Sequence, residues 1–157
     1  GWARKPYYIA YAFQRARSGT GAAPVASPST TTYQALTGSY ELPSIGLQLY
    51  ASYVRNASSL PHVPTAKLVN LGATYNVTPA SNLIFGATQR KVAESERSQL
   101  AWTLGYDYYL SKRTVVYARW LRLLNRHGAS ASLATIPVIA NSGNDVRVLA
   151  TGIRHNF

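Results

Sequence analysis

Residues 99–110 read QLAWTLGYDYYL, and this stretch decides the fold because every second side chain in it is large and apolar. One side holds Leu100, Trp102, Leu104, Tyr106, Tyr108 and Leu110, and the other holds Gln99, Ala101, Thr103, Gly105 and Asp107. A period of two places successive side chains on opposite faces of a β-strand. A strand with one face for lipid and one for water is typical of a transmembrane β-barrel, whose strands need about 9–11 residues to cross a bilayer.

The same alternation recurs in seven other segments, so we predict eight antiparallel strands in one domain covering residues 1–157. The predicted strands are residues 5–14, 33–42, 45–55, 67–77, 82–91, 99–110, 113–124 and 145–157. Short connections near residues 43, 79 and 111 alternate with long ones at 15–32, 56–65, 92–97 and 125–144. Outer-membrane barrels alternate short periplasmic turns with long external loops, which predicts an all-β, antiparallel transmembrane barrel in the cell outer membrane.

The composition excludes several classes of function. The chain has twelve Tyr and three Trp but no Cys, and His62, His127 and His155 are too few to make a zinc site. We therefore expect no metal and no cofactor. No nucleophile is spaced to support an acid–base pair of His155 with an aspartate, so we expect no enzymatic activity. No apolar run reaches the roughly 18 residues of a transmembrane helix, and Gly1 begins no charged-then-apolar leader, as expected for a mature chain or a fragment.

The charge balance points to anionic partners. Sixteen Lys and Arg against five acidic residues give a formal net charge of +11. A nucleic-acid binder usually gathers its cations on one patch, whereas these are spread through strands and loops. We therefore expect small anionic or hydrophilic solutes, outer-membrane lipid and lipopolysaccharide as partners, and no nucleic acid.

Three passages give the chain a resemblance to a known family. They are LGYDYYLSKRT at residues 104–114 followed by Tyr117, GSYEL at 38–42 leading into LYASY at 49–53, and the closing GIRHNF at 152–157. Together they resemble the carboxyl-terminal half of the general porins of Gram-negative bacteria, especially the trimeric porins of β-proteobacteria. The resemblance implies half of a sixteen-stranded barrel, a homotrimer, and a terminal Phe157 that the outer-membrane assembly machinery recognises. It also implies that the pore-constricting loop lies in the half that this chain does not contain.

Strand parity selects the candidate pore-lining residues. If the apolar side of residues 99–110 faces lipid, the same parity places Thr88, Arg90, Thr103, Asp107, Tyr117, Arg119 and Arg154 inside. Three of these are cations, opposed chiefly by Asp107 and Glu41, so the sequence predicts a pore that prefers anions. Arg122, Arg126 and Arg147 are interpreted instead as rim residues held by lipopolysaccharide phosphates. Arg119 and Arg122 could share a face only through a bulge.

The preferred interpretation is a diffusion porin, and two alternatives stay open. One is a complete eight-stranded barrel that acts as a structural anchor or adhesion platform through its long loops. The small inward residues, such as Gly72 and Gly86, argue against it because they would leave so narrow a barrel underfilled. The other is a soluble, basic β-sandwich that binds a polyanion, which the alternating loop lengths and Phe157 disfavour.

Overall fold

The computed structural model describes residues 2–17, 29–60, 63–93, 95–131 and 143–157, and for residues 2–4 it describes the backbone. In these residues the chain forms one antiparallel sheet of nine strands, and each strand pairs with the next along the chain. The strands are β1 (Trp2–Arg4), β2 (Tyr7–Arg17), β3 (Thr30–Leu42), β4 (Leu47–Ser58), β5 (Ala66–Thr78), β6 (Ser81–Val92), β7 (Ser98–Tyr109), β8 (Thr114–Arg126) and β9 (Val146–His155). The prediction of an all-β, antiparallel fold is confirmed.

The eight long strands β2 to β9 correspond to the eight predicted segments, but several boundaries differ. The short strand β1 was not predicted, and β8 continues through residues that the sequence assigned to a loop. The strand predicted to begin at residue 45 begins at Leu47, because Pro43–Ile45 forms a 3₁₀ turn. Gly46 closes that turn with φ of 64°, a left-handed conformation that glycine adopts without steric cost.

The two ends of the sheet differ in the length of their connections. Short turns join β1 to β2, β3 to β4, β5 to β6 and β7 to β8, and the long connections all leave the opposite end, hereafter the long-loop end. Much of the predicted long loops, at residues 18–28 and 132–142, lies outside the described residues, as do His62 and Glu94.

The sheet has two chemically different faces. On the first, hereafter the apolar face, Phe85, Leu104, Trp120 and Leu149 are successive register partners across four strands. Nearly all exposed large apolar side chains of β2 to β9 lie on it, and the exceptions are Tyr8, Tyr33 and Tyr50. The second, hereafter the polar face, carries mostly small or hydrophilic side chains.

A water-excluding core is almost missing from the described residues. The buried hydrophobic side chains are Val115, Leu123, Ala129 and Val146, all of them at β8, β9 or their connection. A β-sandwich requires two sheets packed face to face, and the described strands form one sheet only. The soluble sandwich alternative is therefore wrong.

The sheet is open at both edges. Within the described part of the chain, β1 pairs only with β2 and β9 pairs only with β8, so the eight long strands do not close into a small barrel. Among the same residues, no helix has the length and apolar character needed to cross a membrane.

Candidate functional site

The polar face is the candidate functional surface, because the register places on it all seven side chains that strand parity selected. They are Thr88 and Arg90 on β6, Thr103 and Asp107 on β7, Tyr117 and Arg119 on β8, and Arg154 on β9. Pairing runs without interruption along β8, so that strand has no bulge. Arg119 therefore lies on the polar face and Arg122 on the apolar face.

Arg119 lies flat against the sheet. Its Nη2 donates to Asp107 Oδ1 at 2.5 Å, and its Nη1 donates to the backbone oxygens of Tyr106 and Ala118 at 3.0 and 2.9 Å. The guanidinium carbon also lies 5.4 Å from the centroid of the Tyr117 ring. Charge-assisted hydrogen bonds of this kind are stronger than neutral ones and fix the planar fork in one orientation. Asp107 thus compensates the charge of Arg119 locally.

Two glycines make room for these large side chains. Gly105 is the register partner of Arg119, and a Cβ at Gly105 would lie 2.9 Å from Arg119 Cδ. Gly152 is the partner of Tyr117, and a Cβ at Gly152 would lie 2.5 Å from the Tyr117 hydroxyl oxygen. The sequence alone shows Gly105 only as a small residue on the side of its strand opposite Leu104, because the role of such a glycine depends on which residue lies beside it on the next strand. Each allows a long side chain to lie along the wall.

A second polar group connects three neighbouring strands. Asn70 Nδ2 donates to Ser52 Oγ at 2.8 Å, and the Thr88 hydroxyl donates to Asn70 Oδ1, also at 2.8 Å. Ser52, Asn70 and Thr88 are successive register partners on β4, β5 and β6. Cross-strand pairs of this type stabilise a sheet. The short side chains therefore form a fixed hydrophilic wall that projects little.

Arg90 lies at the long-loop end of the polar face. Its Nη1 donates to Gln99 Oε1 at 3.0 Å, and because this partner is neutral it leaves the charge of Arg90 uncompensated. Arg90, Arg97 and Gln99 contribute to an open pocket of about 440 Å³. Sequence parity does not select Arg97, because it lies outside the predicted strands in a segment read as a charged loop.

Arg154 and Thr103 complete the selected set. Arg154 is exposed opposite Val115 and makes no ion pair with any described carboxylate. Thr103 lies between Gly86 and Leu121 as a half-buried hydroxyl.

Asn125 is a buried residue of β8 that the sequence assigned to a loop. Its side-chain amide donates to the backbone oxygens of Ala131 and Asn144 at 3.1 and 2.7 Å, and its Oδ1 accepts from the Ala131 N–H at 3.0 Å. The Asn125 N–H donates to Asp145 Oδ1 at 3.3 Å. Asn125 therefore holds together the two ends of the connection between β8 and β9.

The polar face offers guanidinium, carboxylate, amide and hydroxyl groups at fixed positions. Groups of this kind, lining a pore, set barriers for permeating ions. Within the part of the chain that the structure describes, no cluster of three or more His, Asp or Glu could hold a metal ion.

Comparisons with known proteins bear on this surface. The sequence profile of a family described as Gram-negative porin matches residues 2–128. Among solved structures, the outer-membrane expressed OmpT of Vibrio cholerae is similar, with a TM-score of 0.72 at 15% sequence identity. The alignment covers 98% of this chain and 53% of that one, so the chain spans about half the length of that structure. At this identity the likeness establishes the fold alone. No curated protein sequence matches the chain significantly.

Proposed function

The chain belongs to the Gram-negative porin family, and on that premise we propose that the complete protein forms a water-filled diffusion channel for small hydrophilic solutes in the outer membrane. The observation that carries this proposal is the contrast between the two faces of one sheet. The apolar face exposes rows of large side chains such as Leu104 and Leu149, which water would solvate poorly. The polar face carries the Ser52–Asn70–Thr88 hydrogen bonds and the Arg119–Asp107 pair. Lipid against the apolar face and water against the polar face would solvate both sets of side chains.

We further propose that the open edges of β1 and β9 pair with strands of the same protein outside this chain, in a barrel of sixteen strands. In hydrocarbon each unpaired backbone N–H or C=O costs several kcal/mol, so a spanning sheet must close. The match to about half of a longer outer-membrane structure supports this arrangement.

We also propose that the channel prefers anions to cations. The positive charge of Arg119 is balanced by Asp107, so the preference rests on Arg90 and Arg154, which have no described acidic partner. Glu41, which accepts a hydrogen bond from Gln48 at 3.3 Å, opposes them. A small net positive charge along the wall lowers the barrier for anions and raises it for cations.

The direct test is the reversal potential of the complete protein in planar bilayers under a steep KCl gradient. We expect discrete channel openings and a reversal potential displaced toward the chloride equilibrium potential. A displacement toward the potassium potential would overturn the anion preference, and no conductance from folded protein would overturn the channel.

We propose that the complete protein is a homotrimer that contacts its copies through the apolar face. A depression of about 730 Å³ lies on that face, where Gly38, Ala51 and Ala73 are flanked by larger apolar side chains. Small residues let backbones approach closely inside a membrane. In a gel of native outer-membrane extract, we expect a heated monomer band near twice the 17.1 kDa of this chain and an unheated band several times larger. Bands of equal size with and without heating would contradict the trimer.

Phe157 is proposed as the signal that the outer-membrane assembly machinery recognises. Its side chain is fully exposed, and its ring stands edge-on to that of His155 with centroids 5.0 Å apart, so it contributes little to packing. We expect Phe157→Ala to lower the amount of protein assembled in cells while leaving refolding into detergent micelles unchanged. An equal loss in both measurements would indicate a structural role instead.

A further inference from the structure

The charges of the polar face are not spread evenly over its strands. Its strand arginines, Arg90, Arg119 and Arg154, lie on β6, β8 and β9. On β2 to β5, hereafter the cation-free half, the described positions of this face hold no Lys or Arg, and Glu41 is their one charged side chain. An anionic solute therefore meets no counter-charge along these four strands.

Two aromatic rings are exposed on the cation-free half. Tyr8 on β2 and Tyr50 on β4 stand in one register row, with Ser39 of β3 between them. They are 44% and 42% exposed, as much as the tyrosines of the apolar face. Neighbouring strands lie roughly 4.8 Å apart, so the two side chains leave the sheet about 10 Å from each other. A ring left bare on an otherwise hydrophilic wall offers a flat apolar surface to a solute.

Two glycines keep the space beside Tyr50 open. Gly72 is the register partner of Tyr50, and Gly86 is the partner of Gly72 on the next strand. A Cβ at Gly72 would lie 3.7 Å from both Cβ and Cδ2 of Tyr50, so the tyrosine stands directly beside the empty position. At Gly86 the nearest atom to a Cβ would be 3.8 Å away, on Thr103. Because neither glycine projects a side chain, one flank of Tyr50 is open across two strands.

Uncharged hydrogen-bonding groups border this open space on both sides. Two residues along the strands in one direction lies the group in which Ser52, Asn70 and Thr88 are bonded to one another at 2.8 Å. The Asn70 amide uses one hydrogen and one lone pair in these bonds, so it keeps one donor and one acceptor for a ligand. Two residues along β4 in the other direction, Gln48 presents a second side-chain amide on the same face. The Tyr50 hydroxyl has no partner among the described residues and adds another donor.

We propose that Tyr50 and these bordering groups form a binding site for neutral saccharides that pass through the channel. A pyranose ring has an apolar C–H face that stacks on an aromatic ring, and its hydroxyls, which point outward from the ring edge, both donate and accept hydrogen bonds. Asn70 and Gln48 supply both functions on either side of Tyr50. Because the groups nearest the ring are uncharged, no charged solute is paired there, and Tyr8 extends the platform for a disaccharide or longer chain. The inference deepens the proposed channel and rests on its polar face being in water.

The experiment measures the dissociation constant of cellobiose, a neutral disaccharide of two pyranose rings, by saturation-transfer NMR. The complete protein is held in a detergent without a sugar headgroup. Loss of a stacked aromatic ring weakens binding roughly tenfold, so we expect the dissociation constant to rise about tenfold in Tyr50→Ala. Tyr50→Phe keeps the ring and should stay within about threefold of wild type. The matched control is Tyr53→Ala, which removes an exposed tyrosine of the same strand from the apolar face and should leave cellobiose binding unchanged.

Unchanged binding by Tyr50→Ala, or equal losses in Tyr50→Ala and Tyr53→Ala, would overturn the site. If Tyr50→Ala fails to fold, wild-type protein titrated with cellobiose and with sorbitol decides. Sorbitol is an open-chain polyol without a flat apolar face, so equal binding of the two would also overturn the site. The planar-bilayer conductance of the wild-type protein tests the channel separately. Cellobiose binding by a protein that never conducts sustains the site alone, and a conducting protein that does not bind cellobiose keeps the channel and loses the site.

Discussion

Replacing Asp107 with asparagine should make the channel more selective for anions. Asp107 is the carboxylate that balances Arg119 on the polar face, through a hydrogen bond of 2.5 Å. In Asp107→Asn the arginine keeps its two bonds to backbone oxygens, at 3.0 and 2.9 Å, and therefore stays against the wall. The substitution removes one negative charge from the polar face without moving the neighbouring positive one.

The size of the effect follows from the Coulomb energy of one unit charge. For an ion passing at about 5 Å in water, that energy is ~0.8 kcal/mol. Screening over a Debye length of about 10 Å at 0.1 M salt reduces it to ~0.5 kcal/mol. The barrier falls for an anion and rises for a cation, so the difference is about 1 kcal/mol, or roughly a fivefold change in the permeability ratio.

The matched control is Asp145→Asn. Asp145 also pairs with an arginine, Arg122, but that arginine belongs to the apolar face. Reversal potentials in planar bilayers at low and high salt should show the shift for Asp107→Asn only, and the shift should shrink as salt rises. A shift of equal size in both variants, or none in Asp107→Asn, would refute the assignment of Asp107 to the water-filled side.

Two further predictions concern the wall. Gly105→Ala should destabilise the folded protein by about 1–3 kcal/mol in denaturant unfolding, because the new methyl group displaces Arg119 from its acceptors. The control is Gly86→Ala, which should change the unfolding free energy by less than about 0.5 kcal/mol because the nearest atom to its Cβ would be 3.8 Å away. Leu104→Lys on the apolar face should lower the free energy of unfolding in lipid vesicles by about 2–4 kcal/mol, whereas Thr103→Lys should lower it little and shift the reversal potential toward the chloride equilibrium potential. Equal losses of stability for the two lysines would contradict the assignment of the faces.

The elements of this fold could be predicted from sequence because a period of two is local information. Residues 99–110 alternate so regularly that the face of each side chain follows from its parity alone, and the observed register of β7 agrees. The boundaries of the strands were harder to predict from the sequence. The alternation that begins at residue 45 gave no sign that Ile45 belongs to a turn, since that depends on Pro43 and on the left-handed φ of Gly46. Asn125 was assigned to a loop because its partners, Ala131 and Asn144, follow only later in the chain.

The side-chain contacts on the polar face could not be predicted from the sequence, for a different reason. Parity says that Arg119 and Asp107 share a face, but only the register shows Gly105 opposite Arg119, with the space that lets the side chain lie flat and reach the carboxylate. The same limit applies to the cations on the apolar face. Arg55 and Lys67 are far apart along the chain, and their repulsion becomes visible only when β4 and β5 are paired.

Arg119 and Arg122 show how the positive charge of this chain should be interpreted. They lie three residues apart on one strand and each has a carboxylate partner. Arg119 donates to three acceptors, whereas the Nε of Arg122 is buried without an acceptor among the described residues. Arg119 on the polar face is neutralised locally by Asp107. The described strands β2 to β9 carry eight cations on the apolar face: Arg15, Arg17, Arg55, Lys67, Lys91, Arg122, Arg126 and Arg147. The formal charge of +11 is therefore a poor measure of pore selectivity. Because most strand cations lie on the apolar face, the anion preference should be modest.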